Sequence, residues 1–194
     1  MIALIPARSG SVSVKDKNIY PLKGYPLMAW SIAIGKMLKL PTYVITDSSQ
    51  YKDIALSFDA EVIDEPLSLA LAMAGDFPYL EFVFDMIKDT NEILLLRPTT
   101  PLREIDVIQK AIAQFTFYPQ HTSMRSAYEM SETAYKCVKI EDGYFKPILE
   151  IQGLPELFNM PRQSLPKTYH PNGYVDIIMR STIEGGSVYG DRIQ

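Results

Sequence analysis

The chain opens on an unbroken apolar run, Met1 to Ile5, that stops at Pro6 and gives way to a loop, Ala7–Asn18, rich in Ser, Gly and Lys. A run with no alternation suits a strand buried on both faces. A strand of that kind needs helices on each side of its sheet. The pattern then recurs. Tyr43-Val44-Ile45 ends at Thr46-Asp47, Glu61-Val62-Ile63 is a short third strand, and Ile93 to Leu96 runs into Arg97-Pro98-Thr99-Thr100-Pro101. Helical stretches lie between. Pro26–Lys39 opens on a proline suited to a first turn and places Leu27, Trp30, Ile34, Met37 and Leu38 on one stripe. Ser48 or Ser49 caps a helix to Phe58. Pro78–Lys88 turns Leu80, Phe84 and Ile87 inward, and Glu104–Phe115 does the same with Ile105, Ile108, Ile112 and Phe115. Strand–helix alternation of this order predicts an α/β fold, a mostly parallel sheet flanked by helices.

After Tyr118 the pattern changes. Ser123–Tyr128, Tyr135–Ile140 and Tyr144–Lys146 read as short strands, the last two joined at Asp142-Gly143, a hairpin signal. Residues 147–171 carry five prolines and read as extended or looped, and Gly173–Met179 is a further strand. The length of 194 residues fits one domain, 1–194, with 119–171 as an insert. The lone Cys137 excludes an intramolecular disulfide framework and a cysteine-built zinc site. No apolar stretch approaches the roughly 18 residues that span a bilayer, and the first apolar run is too short for a secretory leader. The expected setting is cytoplasmic, away from membranes.

Charge gives the first functional hint. The net charge is −4, which argues against a general nucleic-acid binder. Yet residues 8–23 carry Arg8, Lys15, Lys17 and Lys23 against Asp16 alone. A basic loop in an acidic chain points to a small anionic ligand. In parallel sheets ligands sit beyond the carboxyl ends of the strands. Those ends are Pro6-Ala7-Arg8, Thr46-Asp47 and Arg97-Pro98-Thr99, so the polar motifs converge. The loop's small residues let backbone amides approach phosphate oxygens, and Arg8 and Lys17 add charge-assisted bonds. It lacks the Gly-Lys-Ser/Thr ending of a Walker loop; the plain alternative is a solvated basic loop. Asp47 is either a metal–phosphate carboxylate or a helix cap. Arg97 to Arg103 is either a rigid binding loop or an ordinary connection. His121, His170 and Trp30 read as structural, with Trp30 in the core, and Cys137 reads as packing on its strand.

The segments IPARSGSVSVKDKNI (5–19), LKGYPLMAWSI (22–32), VITD (44–47), LLRPTTPLR (95–103) and PRQSLPKTYHPNGYVDI (161–177) resemble, in order and spacing, the acylneuraminate cytidylyltransferases, the CMP-sialic acid synthetases. The resemblance implies a Rossmann-like nucleotide-diphospho-sugar transferase fold with a small strand-rich dimerisation subdomain. It implies a magnesium-dependent enzyme that joins CMP from CTP to an acidic nine-carbon sugar and releases pyrophosphate. It places Ala7, Arg8, Ser9, Gly10, Ser11, Lys17, Asn18 and Pro98 at the nucleotide, with Arg8 and Lys17 at the reacting phosphates. Arg97, Thr99, Thr100, Arg162, Gln163 and Tyr169 fall to the sugar, and the chain is expected to be a homodimer. Tyr118, Tyr128, Tyr135, Phe145, Leu157 and Phe158 supply apolar surface for that contact, or cover the main domain's edge.

The chain also departs from that family. Val12 stands for a loop lysine and Ser13 for a glycine, Arg97 for a glutamine, Glu65 for an arginine, Ala72-Met73 for Asp-Thr, and His170 for an arginine. The family's carboxy-terminal Asp-x-Asp metal motif would fall beyond residue 194, leaving Asp47 and Asp191 as metal candidates. Two alternatives follow: a non-catalytic nucleotide- or sugar-binding relative, and a transferase for another sugar acid such as Kdo.

Overall fold

The computed structural model describes residues 1–11, 14–70, 75–118, 120–151, 153–154 and 156–194. Val12, Ser13, Ala72 and Met73, four of the departures named above, lie outside the described residues. In chain order the elements are β1 (Ile2–Pro6), a small hairpin of β2 (Pro21–Leu22) and β3 (Tyr25–Pro26), α1 (Leu27–Met37), β4 (Thr42–Thr46), α2 (Ser49–Ser57), β5 (Glu61–Asp64), a single turn α3 (Leu67–Ala70), α4 (Phe77–Met86), β6 (Glu92–Leu95), α5 (Ile105–Phe117), β7 (Ser123–Glu129), β8 (Val138–Glu141), β9 (Tyr144–Pro147), β10 (Tyr169–Met179) and α6 (Arg180–Glu184).

The main sheet has six strands in the order β5-β4-β1-β6-β10-β7. β5, β4, β1 and β6 are parallel, and β10 runs antiparallel to β6. The expected α/β class, with a mostly parallel sheet between helices, is what the chain adopts. Side chains alternate across the sheet. Ala3, Ile5, Val44 and Leu94 face one layer, against Met28, Ile32, Tyr51, Ile108 and Phe115 of α1, α2 and α5. Leu4, Ile45 and Leu95 face the other, against Leu80, Val83, Phe84 and Ile183 of α4 and α6. This two-sided burial is why the first strand reads as a continuous apolar run.

Helix α1 buries Ile34 as expected, but the rest of its inward face differs from the expected stripe. Met28, Ser31, Ile32 and Gly35 are buried, whereas Met37 is 60% exposed and Trp30 only half-buried. The reason is steric. A Cβ on Gly35 would sit 2.5 Å from Thr42 Oγ1 and 3.0 Å from the Ala3 Cβ, so the helix lies on β4 and β1 across its smallest residues. Close packing, and not the widest apolar stripe, sets the rotation. Ser48 caps α2, accepting from the Tyr51 amide at 3.4 Å.

The chain divides into two compact units, one of Met1–Ser126 with Gly173–Gln194, the other of Ala127–Asn172. The second unit is built on the β8/β9 hairpin, whose turn residues Asp142 and Gly143 take φ values of +52° and +83°. Two positive φ angles in succession need the Asp-Gly pair that occupies them. The expected strand Tyr135–Ile140 is shorter: Ala134–Lys136 is a 3-10 turn capped by Thr133, and the strand begins only at Val138. Cys137 falls between them and is exposed, so it does not pack in a core as its apolar neighbours imply. Leu157, expected at an exposed apolar surface, is buried.

Gly35→Ala tests the steric setting of α1. Alanine adds helix propensity of about 1 kcal/mol, but overpacking against Thr42 and Ala3 costs about 1–3 kcal/mol. A lower melting temperature is expected; a rise would show that the helix is free to move away.

Candidate active site

β1 delivers the basic loop to the carboxyl edge of the sheet. The pairing continues past the strand, with the Ala7 amide donating to the Ile45 carbonyl at 2.9 Å, and Ala7 is fully buried. The loop is then pinned twice. Asp47, at the end of β4, accepts from the Ser9 amide at 2.7 Å through one oxygen and from the Ser9 hydroxyl at 2.8 Å through the other. Asn18, buried in the 3-10 turn Lys17–Ile19, donates to the Arg8 carbonyl at 2.9 Å. Gly10 takes a φ of +70°, where a side chain would strain the backbone. Arg8 is exposed, and Ser11 and Lys17 are half-buried. The segment is therefore held at both ends with its cations presented beside it. Asp47 is not the helix cap, a role that Ser48 takes; both of its oxygens anchor the loop.

Beside this loop lies a cleft of about 360 Å³, within the size of small-molecule sites. Pro6, Ile45 and Glu65 line it at the ends of β1, β4 and β5, and Arg8, Asp76 and Tyr79 complete the wall. Burial and then the charge on Asp47 push the Glu65 carboxyl above its ordinary range, with Arg8 opposing.

Behind the cleft wall is a charged cluster. Arg97 donates to both Asp76 oxygens, at 3.3 and 2.6 Å, and to Asp176 at 3.2 Å. Asp176, 1% exposed, also takes Arg125 at 3.3 Å. The Arg125 guanidinium lies 4.0 Å over the Tyr189 ring, and Tyr79 donates its hydroxyl to Asp76 at 2.9 Å. Burial works against the charge on Arg97, but Tyr79, Asp76 and Asp176 outweigh it and raise the affinity of the guanidinium for its proton. The expected substrate arginine is thus already bound on two sides by carboxylates. Arg103 fixes the turn that carries it. It is 8% exposed and donates to the Tyr174, Arg97 and Gly173 carbonyls and the Ser31 hydroxyl at 2.8–3.2 Å. Burial pulls its pKa down to about 10. Pro98 is consequently buried, Thr99 exposed and Thr100 half-buried.

A family model described as cytidylyltransferase matches residues 2–132, from β1 through β7. The chain belongs to the cytidylyltransferase family. Among similar proteins is the N-acylneuraminate cytidylyltransferase of Escherichia coli O18:K1:H7 strain RS218, 28% identical over 179 residues, covering 91% of this chain and 42% of that protein. The CMP-N,N'-diacetyllegionaminic acid synthase of Legionella pneumophila is 30% identical over 125 residues, 58% of this chain and 51% of that one. The chain therefore spans about half the length, or less, of these curated relatives. Its fold is that of a CMP:2-keto-3-deoxy-manno-octonic acid synthetase solved with CTP, at a TM-score of 0.70 and 14% identity, covering 95% of this chain and 76% of that one.

In this cytidylyltransferase chain, Ala7, Arg8, Ser9, Gly10, Ser11, Lys17 and Asn18 form one loop. Arg97, Pro98, Thr99 and Thr100 form one turn, closed by the Thr100 amide on the Arg97 carbonyl at 3.2 Å. Arg162, Gln163 and Tyr169 belong to the second unit, where all three are exposed. Asp191 is a surface residue, its side chain 87% exposed, and among the described residues no group of three His, Cys, Asp or Glu is placed to hold a metal. Neither metal candidate therefore has a site built around it. The cluster members Asp76, Arg125, Asp176 and Tyr189 were absent from the sequence-based site. Asp176 carried a signal, being a lone carboxylate in the apolar strand Val175-Asp176-Ile177-Ile178, where an unpaired charge is prohibitive.

Asp47→Ala removes the anchor of the loop. Two unmet donors should cost about 1–3 kcal/mol and speed hydrogen exchange at the Ser9 amide; unchanged protection there would refute the anchoring role.

Proposed function

We propose that this chain is the nucleotidyl-transfer part of an enzyme that moves CMP from CTP to a sialic-type sugar acid. The observation that carries the reading is the pinned loop, whose Arg8 lines a cleft at the carboxyl ends of β1, β4 and β5. The names of the Escherichia and Legionella relatives support the acceptor class. The anomeric hydroxyl of the sugar attacks the α-phosphorus, the bond to the bridging oxygen breaks, and pyrophosphate leaves. Chemistry of this type needs positioning and charge neutralisation more than covalent participation. The pinned loop supplies the positioning through the amides of Gly10 and Ser11. Arg8 and Lys17 supply the countercharge as it grows on the pyrophosphate. The turn Arg97–Thr100 faces the acceptor.

Homodimerisation belongs to the same reading. Ile140, Tyr144 and Phe145 of the second unit are each at least 70% exposed, on a hairpin where such side chains call for a partner surface. Arg162, Gln163 and Tyr169 are the sugar-binding residues of the same reading. Among the described residues no helix is long and apolar enough to cross a membrane.

With CTP, Mg²⁺ and N-acetylneuraminate, pyrophosphate release is expected. Binding of CTP without release with this or other sugar acids would favour the non-catalytic alternative. Arg8→Ala and Lys17→Ala should each weaken CTP binding about ten- to a hundredfold by calorimetry; unchanged affinity would remove the loop from the site. Light scattering at micromolar concentration should give twice the mass of the chain, and a monomer would end the dimer proposal.

A further inference from the structure

Asp76 sits at a choice point. It occupies the N-cap position of α4, where an aspartate ordinarily accepts from the second or third amide of the helix. Here it makes no capping bond, and its backbone is helical, at φ −87° and ψ −20°. Pro78 lacks an amide, so the Tyr79 amide is the capping donor within reach. The carboxylate is instead turned to Arg97, which grips both of its oxygens, and to the Tyr79 hydroxyl.

The partners of Arg97 are not equivalent. Asp176 is 1% exposed, lies on β10 opposite Leu95 of β6, and is also held by Arg125. It is fixed. Asp76 is 29% exposed, is close to the end of α4, and lines the cleft. The four charges balance as long as Asp76 stays: Asp176 answers Arg125, and Asp76 answers Arg97. Moving Asp76 away leaves one buried-side guanidinium fork facing the cleft, shaped for a planar, singly charged, bidentate acceptor.

We propose that Asp76 is an internal stand-in for a substrate carboxylate: a carboxylate-bearing acceptor displaces it from Arg97, and Asp76 turns to cap α4. The exchange trades one carboxylate for another on the same fork. The displaced group keeps a partner, since the Tyr79 amide gains the cap it lacks. The acceptor's own bonds to Arg97 tip the balance between the two arrangements. Arg97 reads the acidic group of the acceptor, and a neutral sugar cannot open the site. This rests on the proposed sugar-acid reading and adds how that acid is recognised.

The test is calorimetry of the whole chain, with CTP present, against N-acetylneuraminate, its methyl ester, and Kdo. Asp76→Asn removes the internal competitor. It should tighten binding of the free acid by about tenfold, since affinity is limited by the fraction of free Arg97, and leave the ester unaffected. That sign is opposite to the effect of losing an ordinary structural contact. No tightening, or equal tightening of the ester, overturns the inference. Tightening for Kdo but not N-acetylneuraminate sustains it while overturning the nine-carbon acceptor. If no acid binds either protein, the acceptor reading and this inference both fall. Should Asp76→Asn not fold, hydrogen exchange on the wild type decides. Saturating free acid should protect the Tyr79 amide, and unchanged exchange there overturns the exchange of partners.

Discussion

A single buried carboxylate governs the carboxyl edge of the sheet. Asp176 lies within β10 at 1% exposure, in register with Leu95 on the neighbouring strand. Left alone there, its charge would cost several kcal/mol, and the cost is met only by partners of good geometry. Arg97 and Arg125 come to it from either side. Two arginines on one carboxylate leave a positive surplus, and Asp76 removes it. The turn after β6, the start of α4 and the first part of β7 are therefore tied together by charge balance. Arg103 then needs no carboxylate. Four neutral acceptors hold it, and its lowered pKa records the burial.

The other side of the cleft depends on hydrogen bonds of a different kind. Parallel strands end together at one edge, and here β1 and β4 end side by side, so that Asp47 can reach across to Ser9. The anchor works on a backbone amide and a hydroxyl, and its strength owes nothing to a second charge. Two acids thus hold the architecture of the site, Asp47 at the end of β4 and Asp76 at the start of α4. Asp47 stiffens the loop, and Asp76 neutralises the turn.

What could be read from sequence follows from what each pattern encodes. Continuous apolar strands disclosed the parallel sheet because burial on both faces leaves no other composition. The loop and the Arg97–Thr100 turn were legible because strand ends are fixed by the same runs. The inward face of α1 was not, since Ser31 and Gly35 are buried for their size and carry no hydrophobic signal. Cys137 was misplaced because alternation cannot distinguish a strand from a capped 3-10 turn of a few residues. Arg97 looked available because its carboxylate partners are 21 and 79 positions away in sequence. Long-range pairing of charge is the information that local pattern lacks.

The charge pattern also orients what binds. Glu65 and Asp76 line the cleft together with Arg8, and Arg97 answers Asp76 from behind it. On the proposed reading, a polyphosphate in the cleft proper would meet the Glu65 carboxylate, where like charges repel. At the loop it meets cations and backbone amides. The orientation that fits the proposed function has the phosphates toward the loop and the less charged end of the nucleotide against Pro6, Ile45 and Tyr79. In the proposed function, recognition of the two substrates is divided between two arginines, Arg8 at the phosphates and Arg97 at the acceptor's carboxylate.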